Sequence, residues 1–247
     1  MGLPIDKLII ATNENDILHR FWQTGAYEKQ SSHDSAVETP LAVEGQQTDG
    51  GGVKRTYSPA MDILVSSNFE RLLWFIAFDV YGGDAPIEEK RRKAGLNVKE
   101  WQTNLKSKGG FSVEKKVLEA AKTHFSSERV SNEQTLDTIR EVYRWPNTPG
   151  DQHYVLDPHS AIGVAAALRS VEAAPNVYHV PLATAHPAKF SEGVEKALKD
   201  EKDFRFTDIL PEQFFGLEDL EQRIVDVRKS DGLDGLRKII LREVKTR

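Results

Sequence analysis

The 247-residue chain contains no cysteine, which excludes disulfides, thiolate metal sites and cysteine nucleophiles. It has no apolar run near the roughly 18–20 residues of a membrane-spanning helix. It also lacks a strong charge of either sign: 33 Lys and Arg against 38 Asp and Glu leave a net charge of −5. So mild an acidity gives no electrostatic case for nucleic acid or an anionic membrane as a partner. Met1 to Asp6 carry neither a signal-peptide core nor basic transit character. Gly2 invites a myristoylation reading, but Asp6 stands where that motif wants Ser or Thr. These absences are compatible with a cytoplasmic protein, and no metal site is expected.

Hydrophobic residues make up 39% of the chain and charged residues 29%, a globular composition with room for a core. The length allows one large domain or two small ones. Leu8 to Ala11 reads as a buried strand, and Asn13 as the cap of a helix from Glu14 to Trp22. Residues 28–54 are polar and Gly-rich without a period, which predicts a flexible polar insertion. Met61 to Val65 reads as a short strand. Ser67 and Glu70 then have the spacing of a capping box, and Phe69, Leu72, Leu73 and Ile76 form a helical stripe. Residues 82–110 read as a charged helical insertion, with Glu88 to Lys93 as a solvated face stitched by i,i+4 pairs.

Helices are expected over Ser112–His124, from a second capping box at Ser131 and Gln134 up to Trp145-Pro146, and over Ser160–Ala173. His153 to Leu156 and Val177 to Leu182 read as strands, the latter at a sheet edge or end because Pro181 cannot donate to a ladder. A helix from Ala188 to Leu198 follows. Two amphipathic helices, marked by Leu217, Leu220 and Ile224 and by Leu233, Leu236 and Ile240, finish the chain. Strands alternating with helices predict an α/β fold, a mostly parallel twisted sheet of five or six strands with flanking helices.

One stretch carries the most chemistry. Thr184-Ala185-His186-Pro187-Ala188-Lys189-Phe190 lies where the expected strand hands over to a helix, and open α/β sheets bind ligands at such strand ends. On spacing alone, Thr184 is as well explained as a turn or capping residue before Pro187. His186 and His159 at their turns can shuttle protons at neutral pH or simply bond a backbone group. Ser67, Asn68 and Arg71 sit at a helix N-terminus, an anion site, but an ordinary cap with a surface arginine fits equally. Asn13, Asn15 and Asp16 read either as the edge of an active site or as a tight turn.

Five segments in order resemble threonine synthase, a pyridoxal 5'-phosphate (PLP) enzyme. They are Ala11-Thr12-Asn13-Glu14-Asn15-Asp16, Ser58-Pro59-Ala60-Met61-Asp62-Ile63, Ser66-Ser67-Asn68-Phe69-Glu70-Arg71, Asp157-Pro158-His159-Ser160-Ala161 and Thr184 to Phe190. The resemblance implies that residues 1–247 are part of a type II PLP-enzyme fold (tryptophan synthase β-like). The reaction it implies takes O-phospho-L-homoserine and water to L-threonine and phosphate, with PLP as electron sink. It implies that Thr184 partners the cofactor's pyridine nitrogen. As a helix N-terminus, Ser67, Asn68 and Arg71 are the candidates to meet the substrate's phosphate or amino-acid end, with Asn13, Asn15 and Asp16 as candidates at the active-site edge. Lys189 is not expected to be the Schiff-base lysine, which the family carries in an earlier segment. That lysine and the family's Gly-Asn-Phe-Gly phosphate loop have no counterpart here, and Gly50-Gly51-Gly52 has no strand before it. The chain therefore resembles the C-terminal portion of the family, expected to hold half a PLP site and to be inactive alone. A non-catalytic binding or scaffold protein and a related phospho-amino-acid lyase are the alternatives.

Overall fold

The structure is a computed structural model and describes residues 4–29, 48–49, 52–145, 153–217, 219–222 and 224–245. It divides into two units, Met1–Ile209 and Leu210–Arg247. Most of the polar segment 28–54, with Gly50 and Gly51, lies outside the described residues; within it Thr48–Asp49 (β3) pairs antiparallel with Val53–Lys54 (β4).

In the first unit, Leu8–Thr12 (β1) runs parallel to Phe125–Arg129 (β6), with Ile10 opposite Ser127. A parallel pair needs a long crossover, and everything between these strands supplies it. The expected strand Leu8 to Ala11 forms but is not buried: Leu8 is 48% exposed, and burial is reached only one residue on, at Thr12. Ile17–Thr24 (α1) follows. It starts three residues later than expected, with Asp16 rather than Asn13 at its N-cap. It stops at Gly25, whose φ of 77° lets its N–H close back on the Phe21 carbonyl. Ala26–Glu28 (β2) pairs antiparallel with Gly110–Ser112 (β5).

The main core is aromatic and helical. Phe21, Trp22, Tyr27 and Phe69 pack with ring centroids 4.8–6.3 Å apart. Phe69–Gly82 (α2) adds Leu73, Ile76 and Ala77. Ile87–Lys108 (α3) adds Ala94, Val98, Trp101 and Leu105, spaced four, three and four apart. Within segment 82–110 the helix covers Ile87–Lys108, and Glu88–Arg91 and Glu89–Lys93 form ion pairs of 2.9 and 3.3 Å. Composition hid the apolar stripe that buries this helix. Lys115–His124 (α4) closes the cluster through Val117 and Ala121.

A second cluster joins Asn132–Tyr143 (α5), Pro158–Ala173 (α6) and Ser191–Leu198 (α7) through Ile139, Ala161, Val194 and Leu198. The far side of α6 places Ile162 and Ala165 on Val130, beside β6. At Gly193 of α7 a Cβ would come within 2.9 Å of the Pro158 ring and 3.2 Å of Tyr57. The glycine therefore lets α7 settle on the first turn of α6.

Several expected strands are not strands. Met61 to Val65 begins in a 3₁₀ turn, Pro59–Met61, because proline removes a ladder donor; the Asp62 carboxylate accepts the Thr56 N–H. His153 to Leu156 and Val177 to Leu182 are irregular and have no ladder partner among the described residues; Tyr178 is fully exposed and Val180 79% exposed. In the other direction, β6 was hidden by its polar sequence, Phe-Ser-Ser-Glu-Arg. The α/β class stands, with β1 and β6 as its parallel pair and two short antiparallel pairs beside it. In the second unit, Gly232–Lys245 (α8) forms the last expected helix, but the described residues from Leu217 to Ile224 form none.

Candidate functional site

Four of the five segments singled out in the sequence meet along one string of hydrogen bonds. It starts at the turn after β1. Asn13 is buried; its Oδ1 accepts from the Asn15 N–H at 2.9 Å, an Asx turn. Its Nδ2 faces Thr56 Oγ1, Ser58 Oγ and Asp62 Oδ1 at 2.9, 3.0 and 2.8 Å. The Asn15 side chain clamps the backbone of Lys54 from both sides, donating to its carbonyl and accepting from its N–H, each at 2.8 Å. It also donates to Asp62 at 2.8 Å. Asp62 is the hub: Thr56 reaches its two oxygens with hydroxyl and N–H at 2.6 and 2.9 Å. Asp16 stands apart, paired with Arg20 at 3.0 Å and Arg129 at 3.2 Å.

The string continues through the turn between Ser58 and Asp62. The Ala60 N–H donates to His159 Nε2 at 3.2 Å, so that nitrogen carries the lone pair. The other ring nitrogen therefore holds the proton and gives it to Asp157 Oδ1 at 3.1 Å. His159 is neutral in this arrangement, with both nitrogens engaged, and its ring packs on Phe190 at 4.4 Å.

Asp157 is the N-cap of α6, accepting from the N–H groups of His159 and Ser160 at 2.9 and 3.3 Å. It also accepts the Ser160 hydroxyl. Its burial raises the carboxyl pKa, but the His159 and Ser160 side chains and their two N–H groups outweigh that and hold it below the usual carboxylate value. Ser160 Oγ in turn accepts the Thr184 N–H at 3.0 Å. Thr184 itself is exposed, and its hydroxyl bonds to nothing among the described residues. His186 caps the turn Pro187–Lys189 by accepting from the Ala188 N–H at 3.2 Å, which leaves Nε2 without a partner among the described residues.

The structure thus joins Asn13, Asn15, His159 and Thr184. It does not bring Ser67, Asn68 and Arg71 into the string. Ser67 makes no capping bond, because α2 begins at Phe69 with Asn68 as an N-cap whose side chain makes no capping bond. Arg71 and Asn68 bond each other in the open. Sequence reasoning missed Thr56, Asp62, Asp157 and Ser160 as linking residues. Asp157 was within reach, since Asp followed by Pro at the first helical position is a helix-start signal. Among the described residues, no group of three or more His, Asp or Glu could hold a metal ion, and no helix is long and apolar enough to cross a membrane.

Residues 160–240 match the family described as threonine synthase, C-terminal. The threonine synthase of Eremothecium gossypii is 43% identical over 248 aligned residues, 99% of this chain and 43% of the relative. The crystal structure of threonine synthase from yeast superposes with a TM-score of 0.79 at 39% identity, covering 100% of this chain and 44% of that one. The structure of PLP-bound threonine synthase from Brucella melitensis gives 0.61 at 35% identity, covering 92% of this chain and 38% of that one. The chain spans about two-fifths of the length of the relatives it matches. The chain is thus similar to threonine synthases along nearly its whole length, and its residues 160–240 match the model of that family's C-terminal region.

Proposed function

We propose that this chain supplies the C-terminal part of a cytoplasmic, PLP-dependent threonine synthase. That enzyme is a carbon–oxygen lyase that converts O-phospho-L-homoserine and water to L-threonine and phosphate. The observation that carries the reading is the Thr184 hydroxyl, exposed and without a partner among the described residues, on a backbone pinned to the buried N-terminus of α6. It fits a pyridine nitrogen: a hydroxyl donates to that nitrogen without forcing its protonation, where a carboxylate would favour the charged ring. Bound PLP supplies the electron sink for the reaction.

The other residues have narrower parts. Asn13 and Asn15 spend their amide groups on Asp62, Thr56 and Lys54, so they order the edge of the site rather than grip substrate. Asp16, held by two arginines, does the same at the start of α1. His159 has no free nitrogen to move a proton; His186 has one. Ser67, Asn68 and Arg71 offer exposed donors at the start of α2 for the anionic groups of the substrate.

The test is growth of a threonine-requiring host that carries the open reading frame holding this chain. Growth without threonine is expected, and loss of growth when Thr184 is replaced by Val. A frame that never restores growth overturns the reading. Phosphate release without threonine would make the protein a related phospho-amino-acid lyase.

A further inference from the structure

The segment that presents Thr184 has little else to hold it. Residues 180–185 belong to no helix or strand, and Val180 and Leu182 lie 79% and 77% exposed. Among the described residues, the bond from the Thr184 N–H to Ser160 Oγ is the one hydrogen bond that ties residues 180–185 to the rest of the chain. The acceptor is not an ordinary surface serine. Ser160 is 3% exposed, and its hydroxyl proton is committed to Asp157. A hydroxyl has one proton and two lone pairs. With the proton directed at Asp157, a lone pair is left to face Thr184.

We infer that Ser160 and Asp157 are positioning residues for Thr184, the carboxylate fixing the serine rotor and the serine fixing the backbone that carries the Thr184 hydroxyl. This rests on the proposed role of Thr184 as partner of the cofactor's ring. The same carboxylate holds His159, whose Nε2 accepts from Ala60. Asp157 therefore sets two segments at once, the Thr184 loop and the turn beside Asp62. A cap alone would need only the two N–H groups of His159 and Ser160. The side-chain bonds to Ser160 and His159 are additional, and each of those side chains also bonds one of the two loops.

Amide hydrogen exchange of the 247-residue chain tests this without any cofactor. The Thr184 N–H should exchange at least tenfold more slowly than those of Leu182, Ala183 and Ala185, which donate to no acceptor among the described residues. In Ser160→Ala that protection should vanish, while the Ala188 N–H, capped by His186, keeps its rate. Ser160→Thr keeps the hydroxyl and should restore protection at Thr184. Equal exchange at Thr184 and its neighbours in the unaltered chain overturns the inference, even where Ser160→Ala fails to fold. So does protection that survives Ser160→Ala, or that Ser160→Thr fails to restore. These readouts are independent of threonine formation. Failure of the growth test with intact Thr184 protection would sink the functional reading alone.

Discussion

Asp62 was read as one residue of a short strand, yet it accepts from Asn13, Asn15 and both donors of Thr56. Removing Asp62 leaves the Thr56 N–H without its acceptor and takes one partner each from Asn13, Asn15 and the Thr56 hydroxyl, and a buried unpaired group costs on the order of 1–3 kcal/mol. Asp62→Ala should therefore destabilise the first unit by about 2–3 kcal/mol in urea denaturation. A change under about 0.5 kcal/mol would show that the hub is ornamental. Asp157 gives a pH prediction. Its folded pKa is lowered, so its contribution is fully present above the unfolded value near 3.9 and is lost as pH falls through the folded value. Stability measured across pH 6 to 2 should decline at the acid end, and Asp157→Asn should flatten that decline; an unchanged profile contradicts the assignment. At this scale the sequence was partly legible. The Asn13, His159 and Thr184 motifs were visible as motifs. Their linkage was not, because nothing in a one-dimensional pattern shows that Ala60 meets His159 across 99 residues.

Two serines separate what local pattern can and cannot decide about elements. Ser131 and Gln134 form the expected capping box, with both reciprocal bonds in place. Ser67 and Glu70 have the same spacing and form none, because α2 starts two residues further on. Ser131→Ala should cost about 1 kcal/mol, whereas Ser67→Ala should stay within about 0.5 kcal/mol, by chemical denaturation. Equal costs would contradict the helix starts described. Helices with a regular apolar stripe, such as α5 and α6, were legible. Strands were less so. A run such as Val177 to Leu182 has strand composition, but a strand needs a neighbour to accept its hydrogen bonds, and sequence does not supply one. For β6 the error ran the other way: its polar residues satisfy a ladder whose existence depends on β1, more than a hundred residues earlier.

At the scale of the whole molecule, the first unit leaves large apolar side chains in solvent, among them Leu8, Tyr178, Val180 and Leu182. Exposed apolar groups of this kind promote association. Replacing Tyr178 and Leu182 together by serine should reduce self-association in light scattering at matched concentration, with the unfolding free energy unchanged within about 0.5 kcal/mol. Association that persists at the same level would place its cause elsewhere. The family was legible because five short motifs occur in order, and similarity over 99% of the chain agrees with them. Thr184, proposed as the partner of the cofactor ring, has a hydroxyl without a partner among the described residues. The direct measurement of that role is threonine formation from O-phospho-L-homoserine and water, with PLP supplied as cofactor, by the enzyme encoded by the frame that holds this chain, with Thr184 intact, as Ser and as Val. The account predicts near-intact turnover for Thr184→Ser and a fall of about ten- to a hundredfold for Thr184→Val, the loss of one strong hydrogen bond. Full turnover in Thr184→Val, with the fold unchanged, would contradict it.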